Sequence, residues 1–318
     1  MTSWFLLIFG LVVLVAGAEL LVRGASSIAA RLGISSLVIG LTVVAFGTSA
    51  PEIAVSITAA RSNPGLSLGN VVGSNIFNVL VILGVSAMMR PLAVDQKLVR
   101  IDIPLMIGVS IALWLLLLDG VLGRMEAAAL FAGIVAYVVF ALTFSPPPSP
   151  APSDEVGAGA EPSPRMPLAV SILLTLVGLA ATVLGARLLI ESASTIALRL
   201  GVSDVVVGLT IVAAGTSVPE LATSLVAVVR GERDIAIGNV VGSNIFNILG
   251  ILGLAGLMTP GGMAVPNSML WFDLPIMVAV AAICLPIAFT DRKIGRGEGA
   301  ALLVVYLAYV SYLVLSAL

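Results

Sequence analysis

Two short runs in this chain set a carboxylate beside hydroxyls and a proline: GTSAPE, Gly47 to Glu52, and GTSVPE, Gly215 to Glu220. Thr48 and Glu52 stand four apart, as do Thr216 and Glu220, so each pair shares one helical face. Pro51 and Pro219 each remove an amide donor and crowd the carbonyl four residues back. Carbonyls just upstream, near Ala45 and Ala213, are therefore expected to have fewer amide partners. A second motif, GNVVGSNIFN, occurs letter for letter at Gly69 to Asn78 and at Gly238 to Asn247. It strings Asn70, Ser74 and Asn78, and again Asn239, Ser243 and Asn247, along single helical stripes. With Ser49 and Ser217, every donor in these motifs is an oxygen or an amide, and none of the motifs contains Lys or Arg. Hard cations such as Na⁺ and Ca²⁺ want oxygen, and Ca²⁺ takes about 6–8 such ligands. One divalent cation would cancel both Glu52 and Glu220; several Na⁺ ions or protons would do the same. A lone kinked helix with one buried Glu is ordinary packing, with the carboxyl protonated, but the same motif twice argues against that reading. Asn75 and Asn244 lie off the stripe, where helix-to-helix hydrogen bonding and ion contact both stay open.

The elements that must hold these residues are apolar. Of 318 residues, 59% are hydrophobic and only 10% charged, against roughly 25% charged in a soluble domain. This is the composition of a polytopic membrane protein whose main partner is the lipid bilayer. A net charge of −2 without a basic run gives no footprint for nucleic acid. The chain has no histidine, one cysteine and no GxxxxGK[ST] loop. Histidine metal sites, a disulfide framework and ATP hydrolysis are thereby excluded. Cys284 reads as a small buried hydrophobe. No nucleophile–base pair marks an enzyme, and neither a cofactor nor an obligatory protein partner is expected.

Windows of about 20 apolar residues predict helices near 3–22, 35–60, 68–89, 101–118, 125–143, 167–190, 204–229, 237–258, 270–289 and 299–317. The run from Trp4 to Val22 lacks a positive leader and reads as a retained helix. Between the fifth and sixth helices, SPPPSPAPSDEVGAGAEPSPR has the composition of a flexible linker. Loop Lys and Arg favour one side eleven to four, which predicts extracytoplasmic termini and a cytoplasmic linker. Glu19, Arg187 and Glu191 read as snorkelling side chains near helix ends, and Asp102 and Asp273 as capping or interfacial groups beside Pro104 and Pro275.

GLTVVAFGTSAPE at Gly40 returns as GLTIVAAGTSVPE at Gly208, an offset of 168, and the second motif returns at 169. The expected domains are a first repeat over 1–143, a linker over 144–166 and a second repeat over 167–318. Five helices per half make the second enter the membrane inverted. The predicted fold is thus an all-α membrane protein of ten transmembrane helices in two inverted five-helix repeats. Secondary transporters with this architecture bind substrate near the midplane where broken helices meet; channels also carry inverted repeats.

With GTSxPE and GSNxxN each present twice, the sequence resembles the cation/Ca²⁺ exchanger superfamily, and within it the prokaryotic-type Na⁺/Ca²⁺ exchangers. The resemblance covers nearly the whole chain. It implies Ca²⁺ on Glu52 and Glu220 with the Thr48 and Thr216 carbonyls. It implies an outer Na⁺ site from the Ala213 carbonyl, Thr216, Ser217, Glu220 and Ser243. An inner Na⁺ site would use the Ala45 carbonyl, Thr48, Ser49, Glu52 and Ser74, and Asn78 and Asn247 would complete the middle. It further implies first and sixth helices that slide to alternate access. The exchange would be three Na⁺ for one Ca²⁺ in a prokaryotic plasma membrane. Some relatives carry Asp where Asn247 stands, and the acid is associated with K⁺, which argues against K⁺ cotransport. The proton-coupled branch resembles GNxxE rather than GTSxPE. A divalent cation/H⁺ antiporter and a cation channel are the alternatives.

Overall fold

The computed structural model describes residues 2–143, 166–201, 213–289 and 292–317. Apart from four two-residue strands, its elements are helices. In chain order they are α1 (Thr2–Leu32), α2 (Ser36–Thr48), α3 (Ala50–Ser62), α4 (Pro64–Met89), α5 (Leu98–Asp119), α6 (Arg124–Thr143), α7 (Leu168–Arg199), α8 (Ala213–Gly215), α9 (Val218–Arg230), α10 (Arg233–Leu257), α11 (Met269–Phe289) and α12 (Arg296–Ala317). Among the described residues, eight helices are long and apolar enough to cross a membrane, and nine if α2 and α3 form one bent span. Of the expected span at 204–229, residues 204–212 lie outside the described residues, as does the linker up to residue 165.

Local sequence sets the helix starts. The Ser35 hydroxyl accepts from the Val38 amide and Asn63 Oδ1 from the Leu66 amide, with Pro64 in the first helical turn. At Ser49 the chain bends by 49° between α2 and α3, and Pro51 lies in the first turn after the bend. α-Helix gives way to π-helix at Asn78–Leu83 and Asn247–Leu252, and at Leu98–Asp102 and Met269–Asp273. Such turns often mark functional sites.

α4 and α10, which carry the duplicated GNVVGSNIFN, form the centre: 72% and 83% of their spans are buried, against 11% for α12. Glycines let backbones touch there. A methyl on Gly242 would sit 2.5 Å from the Leu41 carbonyl oxygen of α2. On the flank, α1 and α7 pack antiparallel along a glycine seam. A methyl on Gly17 would lie 2.4 Å from the Thr182 amide, and one on Gly178 would lie 2.3 Å from the Leu21 amide. Two strand pairs join loops at the helix ends: β1 (Leu92–Ala93) pairs with β4 (Lys293–Ile294), and β2 (Val121–Leu122) with β3 (Met263–Ala264).

Two expectations are corrected. α1 runs on to Leu32 and α7 to Arg199, so Glu19, Arg187 and Glu191 are not at helix ends. Their charges stay on the helix because each has a partner. Glu19 accepts from Arg23 and from Arg230 of α9 (2.8 Å), and Arg187 donates to Glu191 (3.0 Å). Asp102 and Asp273 do not cap. Helix continues upstream of both as π turns, leaving no free amide end. They accept instead from the hydroxyls of Tyr137 (3.3 Å) and Tyr309 (2.8 Å). Cys284 is buried, as its surroundings predict.

Candidate functional site

The bend at Ser49 and the corresponding break before Val218 bring the two GTSxPE runs together against α4 and α10. Glu52 and Glu220 open the first turns of α3 and α9, and each is only 1% exposed. Each carboxylate is gripped by the serine of the other motif. Ser49 donates to Glu220 Oε1 at 2.9 Å, and Ser217 donates to Glu52 Oε1 at 3.0 Å. The stripe serines close the ring. Ser49 lies 3.3 Å from the Ser243 hydroxyl and Ser217 lies 3.1 Å from the Ser74 hydroxyl, while Ser74 also donates to Glu52 Oε1 at 3.4 Å.

A second layer is duplicated in the same way. The Asn70 amide donates to the Glu52 carbonyl (3.3 Å) and the Ser56 hydroxyl (2.9 Å); the Asn239 amide donates to the Glu220 carbonyl (3.2 Å) and the Ser224 hydroxyl (3.0 Å). Their side-chain oxygens accept across the interface, Asn239 from Thr48 at 3.1 Å and Asn70 from Thr216 at 3.3 Å. Deeper still, Asn78 donates to Asn244 Oδ1 (3.0 Å) and Asn247 to Asn75 Oδ1 (2.9 Å).

The structure thus gathers the predicted residues into three hydrogen-bonded sets on the same helices: Thr48, Ser49, Glu220 and Ser243; Thr216, Ser217, Glu52 and Ser74; and Asn78 and Asn247 with Asn244 and Asn75. Ala45 is buried in α2, but its carbonyl is not stripped: it accepts the Ser49 amide at 3.2 Å and has the Thr48 hydroxyl at 3.4 Å. Only its remaining lone-pair capacity is available. Ala213 is the first described residue ahead of the second break. Asn70, Asn239, Ser56 and Ser224 also prove to be part of these sets. The stripe pattern signalled the two asparagines; nothing in the sequence signalled the serines.

What the site lacks defines its chemistry. Four buried oxygens of the site's predicted residues have no hydrogen-bond partner among the described residues: Oε2 of Glu52 and Glu220, and Oδ1 of Asn78 and Asn247. The ion pairs among those residues, Arg23–Glu19, Arg230–Glu19 and Arg187–Glu191, leave both central carboxylates without a cationic side chain. No three His, Cys, Asp or Glu side chains converge among the described residues, so any ion here meets a mixed set of carboxylate, hydroxyl and amide oxygens. An orphaned buried oxygen calls for an explanation, and two intramembrane carboxylates call for a counter-charge. A groove of about 650 Å³ elsewhere is lined by side chains such as Phe46, Ile134, Val138, Phe246 and Leu254. It contains no charged side chain.

Comparison with known proteins shows the family. Residues 2–143 and 170–315 match the family model described as sodium/calcium exchanger protein. The sodium/calcium exchanger MaX1 of Methanosarcina acetivorans is 34% identical, with 97% of each chain covered. The inner membrane protein YrbG of Escherichia coli is 38% identical over 80% of each chain. Among solved structures, the sodium-calcium exchanger NCX_Mj soaked with zero Na⁺ and Ca²⁺ superposes with a TM-score of 0.84, at 31% identity and 98% coverage of both chains.

Proposed function

The chain belongs to the sodium/calcium exchanger family, and from that premise we propose that it is an antiporter exchanging Na⁺ for Ca²⁺ by alternating access. One observation carries the reading: four partnerless oxygens, two of them from carboxylates, lie buried on the paired motifs, and no ion pair among the described residues reaches either carboxylate. A buried unsatisfied polar atom costs about 1–3 kcal/mol, and a charged one more. A dehydrated cation takes those oxygens as ligands and removes the cost. Glu52 and Glu220 provide the charge, with Asn78 and Asn247 as neutral ligands between them. The hydroxyls of Thr48, Ser49, Ser74, Thr216, Ser217 and Ser243 and the carbonyls of Ala45 and Ala213 extend the donor set. That is enough for the roughly 6–8 oxygens of Ca²⁺, or for smaller groups around Na⁺.

The ten-helix inverted architecture belongs to the same reading. β1 follows α4 and β4 follows α11, yet they pair, so an even number of passes separates them. β2 and β3, after α5 and α10, give the same parity. Both counts work if the chain crosses once between Arg199 and Arg230. The repeats are then 1–143 and 167–318, joined by the segment 144–166. The antiparallel α1 and α7, as the first helices of the two repeats, fit the inversion. The close glycine seam supports their moving as one slab against the core. The excess of Lys and Arg orients both termini outward in a prokaryotic plasma membrane.

The test is ⁴⁵Ca²⁺ uptake into proteoliposomes loaded with Na⁺, K⁺ or acid and diluted into buffer without the loaded ion. Uptake from Na⁺-loaded vesicles alone supports the reading. Uptake driven by acid moves the function to a divalent cation/H⁺ antiporter. Uptake with no counter-ion requirement makes it a channel.

A further inference from the structure

An asparagine side chain is nearly symmetric in shape, and a half-turn about its last torsion exchanges oxygen for NH₂. Only the oxygen ligates a cation; the NH₂ group is a donor and opposes one. Packing alone therefore does not decide which atom Asn78 and Asn247 turn toward the centre. We propose that Asn75 and Asn244 are positioning residues that fix this choice, so that both central amides face the cation with oxygen. The inference rests on the cation-binding reading above.

The polarity starts from backbone carbonyls, which only accept. The Asn244 amide NH₂ donates to the Asn75 carbonyl at 3.3 Å, and the Asn75 NH₂ donates to the Asn244 carbonyl at 3.2 Å. Each carbonyl sits three residues before a π turn, at the seam where the helical ladder changes. A sulfur acceptor reinforces each NH₂: Met106 Sδ lies 3.5 Å from Asn244 Nδ2, and Met277 Sδ lies 3.8 Å from Asn75 Nδ2. Both NH₂ groups are thus committed, and the Oδ1 atoms of Asn75 and Asn244 must point the other way. There they accept, Asn244 from Asn78 at 3.0 Å and Asn75 from Asn247 at 2.9 Å. With their NH₂ groups held, Asn78 and Asn247 are left with Oδ1 buried and unpartnered. Reversing either amide would set oxygen against oxygen at one end and offer NH₂ to the ion at the other. Four side chains on α4 and α10 thereby form a relay whose direction the backbone sets.

Replacing Asn244 with leucine keeps the bulk and deletes the acceptor. The Asn78 amide is then free to turn its NH₂ inward, toward the carboxylates, and the cation must reverse it. Loss of a group that orients a metal ligand costs about 10–100-fold in affinity, and that is the expected weakening of Ca²⁺ binding in N244L. An Asn78→Asp background carries the decisive control: a carboxylate has oxygen on both sides and no orientation to lose, and in that background Asn244 Oδ1 faces an acceptor rather than the NH₂ it receives in the wild type. Ca²⁺ titration calorimetry is run on full-length purified protein: wild type, N244L, N78D and N78D/N244L. The expected result is the full loss of about 10–100-fold in the Asn78 background and no loss, or a gain, from N78D to N78D/N244L. Asn75→Leu with Asn247→Asp repeats the test on the opposite helix. Equal losses in both backgrounds overturn the proposal, as does N244L binding like wild type, or failure of the leucine variants to fold in every background. A wild-type protein that binds no Ca²⁺ overturns the cation reading itself.

Discussion

Glu52→Gln separates a carboxylate that serves the cation from one that serves the fold. The substitution keeps shape and volume, and Gln can still accept from Ser217, now 3.0 Å from Glu52 Oε1. It removes the charge and puts an NH₂ where Oε2 stands partnerless. Two unit charges 4 Å apart interact by about 4 kcal/mol at an effective dielectric near 20. For a divalent ion that doubles to about 8 kcal/mol. If desolvation offsets half of it, about 4 kcal/mol remains, close to a thousandfold in Ca²⁺ affinity. Without Ca²⁺ the sign reverses. An intramembrane charge costs at least ~2.5–3.5 kcal/mol, and the variant no longer bears it. The Ca²⁺-free variant should therefore melt no lower than the Ca²⁺-free wild type. Added Ca²⁺ should raise only the wild type, by about 2.7 kcal/mol of stabilisation at a hundredfold excess over Kd. The assay is a melting curve of purified protein with and without Ca²⁺, beside ⁴⁵Ca²⁺ uptake. A variant that melts below wild type without Ca²⁺, yet keeps the Ca²⁺-dependent rise, would show that Glu52 holds the fold rather than the ion. Glu220→Gln, equally buried and held by Ser49, should behave alike.

Ser217→Ala and Ser49→Ala each remove one hydroxyl from a carboxylate oxygen. Bonds to charged groups contribute about 1.5–3 kcal/mol, so the half-saturating Ca²⁺ concentration for uptake should rise at least tenfold; unchanged values would take the serines out of the site. Gly178→Leu drives a side chain into the Leu21 amide across the α1–α7 seam and should abolish exchange or expression, whereas Gly108→Leu, with open space around it, should be silent by the same uptake assay. Equal tolerance of the two would refute the close seam.

What the sequence disclosed was what repetition and helical spacing encode. Glu52, Thr48, Ser74 and Asn78 and their duplicates could be placed on shared faces before any coordinates, because a four-residue step keeps a side chain on one side of a helix. The exchange of partners could not. That Ser49 holds Glu220 and Ser217 holds Glu52 depends on how two chain segments 171 and 165 residues apart meet. Asn75 lay off the stripe because one residue past Ser74 turns the side chain by about 100°. Its target is a carbonyl on the facing helix, which no single helical wheel contains. The helix ends differ from the composition pattern for a related reason. Arg23 and Glu19 look like the close of a span by composition, but Arg230 of α9 supplies a partner and the helix continues to Leu32. The π turns left no mark on the hydrophobic pattern.

The formal charges of the centre carry one more consequence. Glu52 and Glu220 contribute two negative charges, and Asn78 and Asn247 contribute none. Loaded with Ca²⁺ the centre is neutral; loaded with three Na⁺ it carries one positive charge. Moving that charge across the full membrane field is worth ~2.3 kcal/mol per 100 mV, whereas moving the neutral centre costs nothing. With the three-to-one stoichiometry that the family resemblance implies, Na⁺-driven Ca²⁺ uptake should depend on membrane potential and Ca²⁺-for-Ca²⁺ exchange should not. Both are measured with ⁴⁵Ca²⁺ in vesicles clamped by K⁺ and valinomycin. Asn247→Asp then shifts every state by one negative charge. The Na⁺-loaded centre becomes neutral and the Ca²⁺-loaded one charged, so voltage dependence should appear in Ca²⁺-for-Ca²⁺ exchange. Equal voltage sensitivity of the two modes in the wild type, or no change between them in the variant, would mean that the charge crossing the membrane is not set by these four side chains.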